Sequence, residues 1–141
     1  MQIVYMDHAA STPVRREVLE EMLPFFQERF GNPSAIYDIG IDIKGVIEDQ
    51  REKVANLIGA EAKEIVFTSS GAEANNLAVK GAVLANRKKG NHIIVSTIEH
   101  HSVLNAARFF ERMMDYEVTF LPVNNYGLVD PQRLAELVRE E

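Results

Sequence analysis

A serine–glycine loop is the strongest chemical feature of this sequence. Thr68, Ser69 and Ser70 offer three hydroxyls, and Gly71 allows the backbone to turn tightly and approach a ligand. The helix predicted from about Ala72 would point its free N–H groups and positive dipole end at the same place. A phosphate or carboxylate would fit this loop, although Ser70 could instead serve only as a helix N-cap. The spacing matches neither nucleotide fingerprint, G-x-x-x-x-G-K or G-x-G-x-x-G.

A pair of adjacent histidines, His100 and His101, is the second candidate. Neighbouring side chains on an extended segment point to opposite sides, so the pair cannot chelate one metal. A metal site would need His8 or His92 to join from elsewhere, and we predict none. One histidine could stack on a flat ring bound at a strand end, or it could simply cap a helix. The spacing leaves both interpretations open.

The amino-acid composition argues against several classes of function. The chain has 141 residues, 46% hydrophobic and 26% charged, which is typical of one globular domain. There is no cysteine, which excludes thiol catalysis, disulfides and cysteine metal sites within these residues. A net charge of −6 does not favour nucleic-acid binding. With no apolar run near the ~20 residues of a membrane span and no signal-peptide pattern, we expect a cytoplasmic protein without a membrane partner.

The first 60 residues predict a short strand and two helices. The strand covers residues 3–6, and Thr12 and Pro13 open a helix whose apolar stripe reaches Arg29. A second helix is predicted from Ile39 to Ile58 and ends at a glycine.

From residue 64 onward the pattern alternates between strand and helix. We predict strands over residues 64–68, 92–96 and 117–123, and helices over residues 72–89, 102–114 and from Asp130-Pro131 to the C-terminus. This alternation indicates an α/β fold with parallel βαβ units. Ligands of such sheets bind beyond the carboxyl ends of the strands. That rule selects three places, residues 68–72, 96–101 and 123–127.

Six segments of the chain resemble the cysteine desulfurases. They are V-Y-M-D-H-A-A-S-T-P (4–13), F-G-N-P-S (30–34), R-E-K-V-A with L-I-G-A (51–60), F-T-S-S-G-A-E-A-N-N-L-A (67–78), E-H-H-S-V (99–103) and Y-G-L-V-D-P (126–131). Their order and spacing agree with the family across nearly the whole chain. The match is therefore much more specific than any single motif.

The resemblance implies a class V aminotransferase-like domain of the pyridoxal-phosphate fold type I group. The expected architecture is a partial three-layer αβα sandwich with a mainly parallel sheet, preceded by an N-terminal helical arm. Residues 1–60 would form the arm and its helices. Residues 61–141 would form the N-terminal part of the large domain that binds pyridoxal 5'-phosphate.

The same resemblance assigns roles to individual residues. The residues implied to bind the cofactor are Ser70, Gly71 and Ala72 at its phosphate, and His100 over its pyridine ring. Those implied to line the substrate side or a dimer interface are Asp7, His8, Ala9 and Asn32. Those expected to organise the loop and helix, without doing chemistry, are Glu73, Asn75 and Asn76.

The sequence departs from the family pattern at four places. Ala72 replaces the usual Thr and removes a phosphate-binding hydroxyl, while Ser70 replaces the usual Gly and offers a hydroxyl in exchange. His8 replaces a common Asn, and Tyr37 replaces a common His. We therefore expect Ala72→Thr to strengthen pyridoxal-phosphate binding in a complete chain.

The catalytic residues of the family are absent from this chain. Desulfurases use a Schiff-base lysine in an S-x-H-K motif and a cysteine that accepts the sulfur, and neither occurs here. The family's aspartate partner of the pyridinium nitrogen and its substrate-carboxylate arginine are missing as well. We expect a fragment, a truncated product or one half of a split enzyme, inactive alone, with an open sheet edge and exposed apolar surface that favour dimerisation.

Two classes of function follow from these observations. As part of an enzyme, the chain would belong to a homodimeric desulfurase that converts L-cysteine to L-alanine and passes the sulfur to a scaffold protein for iron–sulfur cluster assembly. A selenocysteine lyase or another class V member is a near alternative. As a stand-alone module, the chain would bind an anion or a partner without catalysis.

Overall fold

The computed structural model describes residues 3–139. The chain divides into two compact units, with the boundary between Val66 and Phe67. The domain boundary expected after residue 60 stays a prediction. Within the described residues, no helix has both the length and the apolar character needed to cross a bilayer.

The N-terminal unit consists of three helices and a short 3₁₀ turn. The helices are α1 (Arg16–Met22), α2 (Pro24–Gln27) and α3 (Asp38–Ile58), and the 3₁₀ turn is Ala62–Glu64. α3 confirms the predicted second helix, and Gly59 ends it with φ 70° in the left-handed region that glycine tolerates best.

Three predictions for the N-terminal unit are wrong. Residues 3–6 form no strand and are exposed, because strand pairing requires a neighbour that the local sequence does not specify. The first helix starts at Arg16 rather than at Thr12-Pro13, and the Arg16–Glu20 ion pair on its surface favours that later turn. Pro24 then breaks the helix into α1 and α2, because proline has no amide hydrogen to donate.

The C-terminal unit has the α/β character that the alternation predicted. Its elements are α4 (Gly71–Ala85), β1 (His92–Ser96), α5 (His101–Met113), β2 (Glu117–Leu121) and α6 (Pro131–Leu137). β1 and β2 pair in parallel, with His92 opposite Glu117 and Ser96 opposite Leu121. The β1–α5–β2 segment is therefore the predicted βαβ unit.

Other boundaries of this unit differ from prediction. The strand expected over residues 64–68 is absent, so the described sheet has two strands instead of three. α4 ends at Ala85 and not at the basic residues 87–89. Asn86 is its C-cap residue, and the backbone and side-chain amides of Asn86 both donate to the Ala82 carbonyl. β2 stops at Leu121, α5 begins one residue early, and α6 ends at Leu137.

The core of the C-terminal unit lies between α5 and the sheet. Leu104 and Ala107 of α5 pack with Val95 of β1, and Phe110 is completely buried. α5 packs against both α4 and β1, so it fixes the position of α4 relative to the sheet. Many large hydrophobic side chains elsewhere are exposed, including Ile36 at 93% and Tyr126 at 88%. This fits the expected exposed apolar surface.

Candidate functional site

The loop before α4 is built around reciprocal hydrogen bonds between Ser69, Ser70 and Glu73. The Ser70 hydroxyl accepts from the Glu73 amide at 3.2 Å, so Ser70 is the N-cap of α4. The Glu73 carboxylate accepts from the Ser69 amide at 2.6 Å and from the Ser69 hydroxyl at 2.7 Å. The N-cap interpretation is thus confirmed, and Glu73 organises the loop as predicted.

The backbone at the tip of α4 remains available to a ligand. The amides of Gly71 and Ala72 lie in the first turn, where a helix has no internal acceptor for them, and no acceptor contacts them among residues 3–139. A Cβ added at Gly71 would meet no described heavy atom within 4 Å apart from its chain neighbours and the backbone of its own helix. Capping and anion binding are therefore compatible, because the cap uses the Ser70 oxygen as an acceptor and leaves its O–H free to donate.

The hydrogen bonds from Ser69 lower the pKa of Glu73. The Ser69 hydroxyl has the largest effect and the Ser69 amide the next, while desolvation opposes them by raising the pKa. A folded-state pKa below the ordinary 4.5 means that this carboxylate stabilises the fold above the unfolded pKa and loses that contribution as pH falls through the folded value.

We expect Glu73→Gln to destabilise the chain at neutral pH and to have little effect at acidic pH below the lowered folded-state pKa of Glu73, where the wild-type carboxyl is protonated as well. Urea unfolding midpoints measured across this pH range test the prediction. Glu111→Gln, at an exposed position of α5, is the matched control. A wild-type-to-variant difference that stays constant down to strongly acidic pH would contradict the role of the Ser69 bonds.

His100 lies at the N-terminus of the neighbouring helix, α5. It is the N-cap residue, and its Nδ1 accepts from the Ser102 amide at 3.1 Å. His101 is already helical, so the two rings do not alternate on an extended segment as expected; their centroids are 6.2 Å apart. Within the described part of the chain, no group of three or more His, Asp or Glu side chains could hold a metal ion.

One hydrogen bond connects the two parts of the candidate site. The side-chain amide of Asn75, in the second turn of α4, donates to the Ser102 hydroxyl at 2.8 Å, and that hydroxyl lies 2.8 Å from His100 Nδ1. Ser70–Ala72 and His100 are therefore at the N-termini of two neighbouring helices, although the strand predicted before Ser70 is absent. The sequence predicts an organising role for Asn75, but the 27 positions between Asn75 and Ser102 hide Ser102 as its partner.

The third predicted place, residues 123–127, forms a tight turn beyond β2. Its Asn124 side chain accepts from the Tyr126 and Leu128 amides, and Gly127 has φ 77°. The Thr97 amide, just past β1, donates to the Leu121 carbonyl at 3.0 Å. The loops that follow β1 and β2 therefore lie at the same edge of the sheet.

The remaining predicted residues lie in the N-terminal unit. The Tyr5 ring meets the His8 ring edge-on at 5.2 Å, and the Asp7 carbonyl accepts from the amides of residues 10 and 11. The Asn32 side chain accepts from the Ser34 amide at 2.9 Å in a local turn. Asp7, His8, Ala9 and Asn32 are exposed, and their role at a substrate or an interface stays a prediction.

The aminotransferase class-V family model matches residues 4–141. The chain belongs to this family. A cysteine desulfurase IscS of Methanosarcina thermophila is 52% identical over 138 residues, covering 98% of this chain and 34% of that protein. The class V chain therefore spans about a third of the length of the relatives it matches.

Solved structures give the same result for the fold of this class V chain. A NifS-like protein superimposes with a TM-score of 0.90 at 36% identity, over 97% of this chain and 37% of that one. The structure of SspA in complex with cysteine superimposes with a TM-score of 0.87 at 41% identity, over 96% of this chain and 39% of the SspA chain. The α/β fold of the pyridoxal-phosphate fold type I group, expected from the sequence, is confirmed for this helix-rich chain, whose described residues form a small parallel sheet.

Proposed function

We propose that this chain is the N-terminal part of a pyridoxal-phosphate-dependent cysteine desulfurase, which converts L-cysteine to L-alanine and transfers the sulfur. The observation that supports this most is the hydrogen-bonded link from Asn75, in the helix that begins at the Ser70–Ala72 tip, through Ser102 to His100. The names of the relatives and the cysteine complex of SspA support the substrate. The chain has no cysteine and no S-x-H-K motif, so we propose that it is inactive alone.

The residues at the tip of α4 fit the phosphate of this cofactor. They offer a hydroxyl from Ser70 and two amides from Gly71 and Ala72, at the positive end of a 15-residue helix. The open space at Gly71 lets an anion approach the backbone closely. When bound, pyridoxal phosphate supplies an electron sink for carbanion chemistry, and the protein supplies position and electrostatics. His100 would hold a proton beside the ring.

We expect Ala72→Thr to tighten the binding of pyridoxine 5'-phosphate about tenfold, because a hydroxyl bond to a charged phosphate contributes roughly 1.5–3 kcal/mol. This probe has no aldehyde and so cannot react with surface lysines. Equilibrium dialysis of the 141-residue chain and its variants gives the dissociation constants. Ala72→Val is the matched control, since valine has the shape of threonine without its hydroxyl.

Equal affinities of the threonine and valine variants would contradict the phosphate assignment. Inorganic phosphate, measured in the same dialysis, separates the two functional classes. A cofactor site prefers pyridoxine phosphate because it also holds the ring, whereas a simple anion-binding module binds both ligands alike. Sulfide release from L-cysteine by this chain alone would contradict the proposal that it is inactive.

The partners of the complete enzyme are also part of this proposal. We propose a homodimer, since exposed side chains such as Ile36, Leu57 and Tyr126 need covering surface. A scaffold protein for iron–sulfur assembly would receive the sulfur, and the enzyme would act in the cytoplasm. The names of the IscS relatives support the link to iron–sulfur assembly.

A further inference from the structure

The His100 imidazole is held by two groups of one residue. Ser102 donates its amide hydrogen to His100 Nδ1 at 3.1 Å, and the Ser102 Oγ lies 2.8 Å from the same nitrogen. The Ser102 Oγ in turn accepts a hydrogen bond from the side-chain amide of Asn75 at 2.8 Å. A continuous series of hydrogen bonds thus runs from α4 to the N-cap of α5, entirely within the C-terminal unit.

The chemistry of the donors gives this series a direction. A backbone N–H can only donate, so His100 Nδ1 must carry no proton when it accepts from Ser102. Because Nδ1 carries no proton, the 2.8 Å contact with the Ser102 Oγ is made by the hydroxyl hydrogen, while the Asn75 amide fills one of the two acceptor positions of that oxygen. Both donors of Ser102 therefore point at Nδ1, and the proton of the neutral ring belongs on Nε2.

We propose that Ser102 and Asn75 are positioning residues that fix His100 in the Nε2–H tautomer. Nε2 has no hydrogen-bond partner within the described part of the chain, so Nε2–H is the group that His100 offers to a ligand. His100 is exposed, and packing alone does not hold its ring. The identity of the ligand, a pyridoxal-phosphate ring, rests on the proposed function; the tautomer does not.

Capping and positioning can be separated because they use different atoms of Ser102. The cap of α5 needs only the Ser102 amide, which every residue except proline provides. The hydroxyl and Asn75 are not needed for that cap. Ser102→Ala therefore keeps the amide that caps α5 and removes only the hydroxyl donor.

The test is the nitrogen-15 NMR spectrum of the imidazole side chains in the unliganded 141-residue chain, at alkaline pH where histidines are neutral. The wild-type spectrum is expected to show His100 protonated at Nε2, with its Nδ1 resonance shifted upfield by the accepted hydrogen bonds. In Ser102→Ala the Nδ1 resonance is expected to move downfield, toward that of a free acceptor nitrogen, and Ser102→Thr is expected to restore it.

Variants of Asn75 test the direction of the series. Asn75→Asp replaces the donor by a carboxylate that takes the Ser102 hydroxyl hydrogen, so the His100 Nδ1 resonance should again move downfield. Ser96→Ala and Asn86→Ala are matched controls, since each loses a local hydrogen bond of the same unit away from His100. Histidine-to-glutamine variants assign the four imidazole signals.

Two results would overturn the proposal: a wild-type His100 protonated at Nδ1, or an Nδ1 resonance that Ser102→Ala leaves in place while the Ser102-position amide stays protected from exchange. Because the NMR samples contain no ligand, their result does not depend on the result of the dialysis experiment. Failure to bind pyridoxine phosphate contradicts the proposed function, whereas an unmoved Nδ1 resonance contradicts the positioning of His100.

Discussion

Replacing Phe110 by alanine is expected to lower the free energy of unfolding of the C-terminal unit by about 3–5 kcal/mol. Phe110 is the largest of the fully buried side chains among the described residues, with 0% exposure. Its ring contacts those of Phe109 and Tyr116, with centroids 5.5 and 5.3 Å away. Truncation leaves a cavity beside these two rings and removes the contacts that hold this part of α5 in place.

Amide hydrogen exchange in urea measures this loss residue by residue, so the two units are assessed separately. Phe109→Ala is the matched control on the same helix. Phe109 is 42% exposed and contacts Lys80, whose Nζ lies 4.8 Å from the ring centroid. We expect its truncation to cost about 1–2 kcal/mol. Equal losses for the two variants would show that Phe110 does not anchor the unit.

The lower stability of Phe110→Ala is also expected to affect the candidate site. α5 contacts α4 and both strands, and its first turn contains Ser102 and the His100 cap. Loosening α5 therefore moves His100 relative to the Ser70–Ala72 tip. Ligand affinity should fall in Phe110→Ala through lost alignment, although Phe110 is not part of the site itself.

The sequence was most informative where a structure depends on local signals. α3 ends at a glycine, α6 begins at Asp130-Pro131, and β1 is a short apolar run between polar residues; all three were predicted closely. Each depends on residues a few positions apart, whose preferences act within one turn or strand. The N-cap at Ser70 was predictable for the same reason.

Non-local partners explain the errors. Residues 3–6 and 64–68 have the composition of strands, yet a strand forms only where a second one supplies its hydrogen bonds. The contact between Asn75 and Ser102 joins residues 27 positions apart, so no periodicity reveals it. The resemblance to the desulfurases supplied the family and the site residues, but not the direction of the hydrogen bonds at His100.

A second large effect is expected at Gly40, in the first turn of α3. A Cβ placed there would lie 2.6 Å from the Asn32 carbonyl oxygen, 2.7 Å from the Ala35 carbonyl oxygen and 2.8 Å from the Ala35 Cβ. Backbone atoms cannot yield as a flexible side chain can, so the segment 31–35 or the helix must shift. We expect Gly40→Ala to destabilise the N-terminal unit by about 1–3 kcal/mol.

Gly45, which also lies in α3, provides a control at which alanine is expected to raise the stability instead of lowering it. Apart from its chain neighbours and the backbone of its own helix, no described heavy atom lies within 4 Å of the Cβ that alanine would add at Gly45. Alanine there should stabilise the helix by roughly 0.5–1 kcal/mol. Urea unfolding of both variants, followed by hydrogen exchange within α3, measures the two changes. A Gly40→Ala chain as stable as Gly45→Ala would contradict the close approach.

This close approach gives a packing reason for the F-G-N-P-S segment. Asn32 supplies the carbonyl that contacts Gly40 and also accepts from the Ala35 amide at 2.9 Å, so the segment folds directly against α3. A shift caused by Gly40→Ala would therefore displace the Asn32 side chain, which we predict to face the substrate or an interface. Weaker dimerisation of Gly40→Ala would assign Asn32 to the interface, which is the alternative to the substrate side.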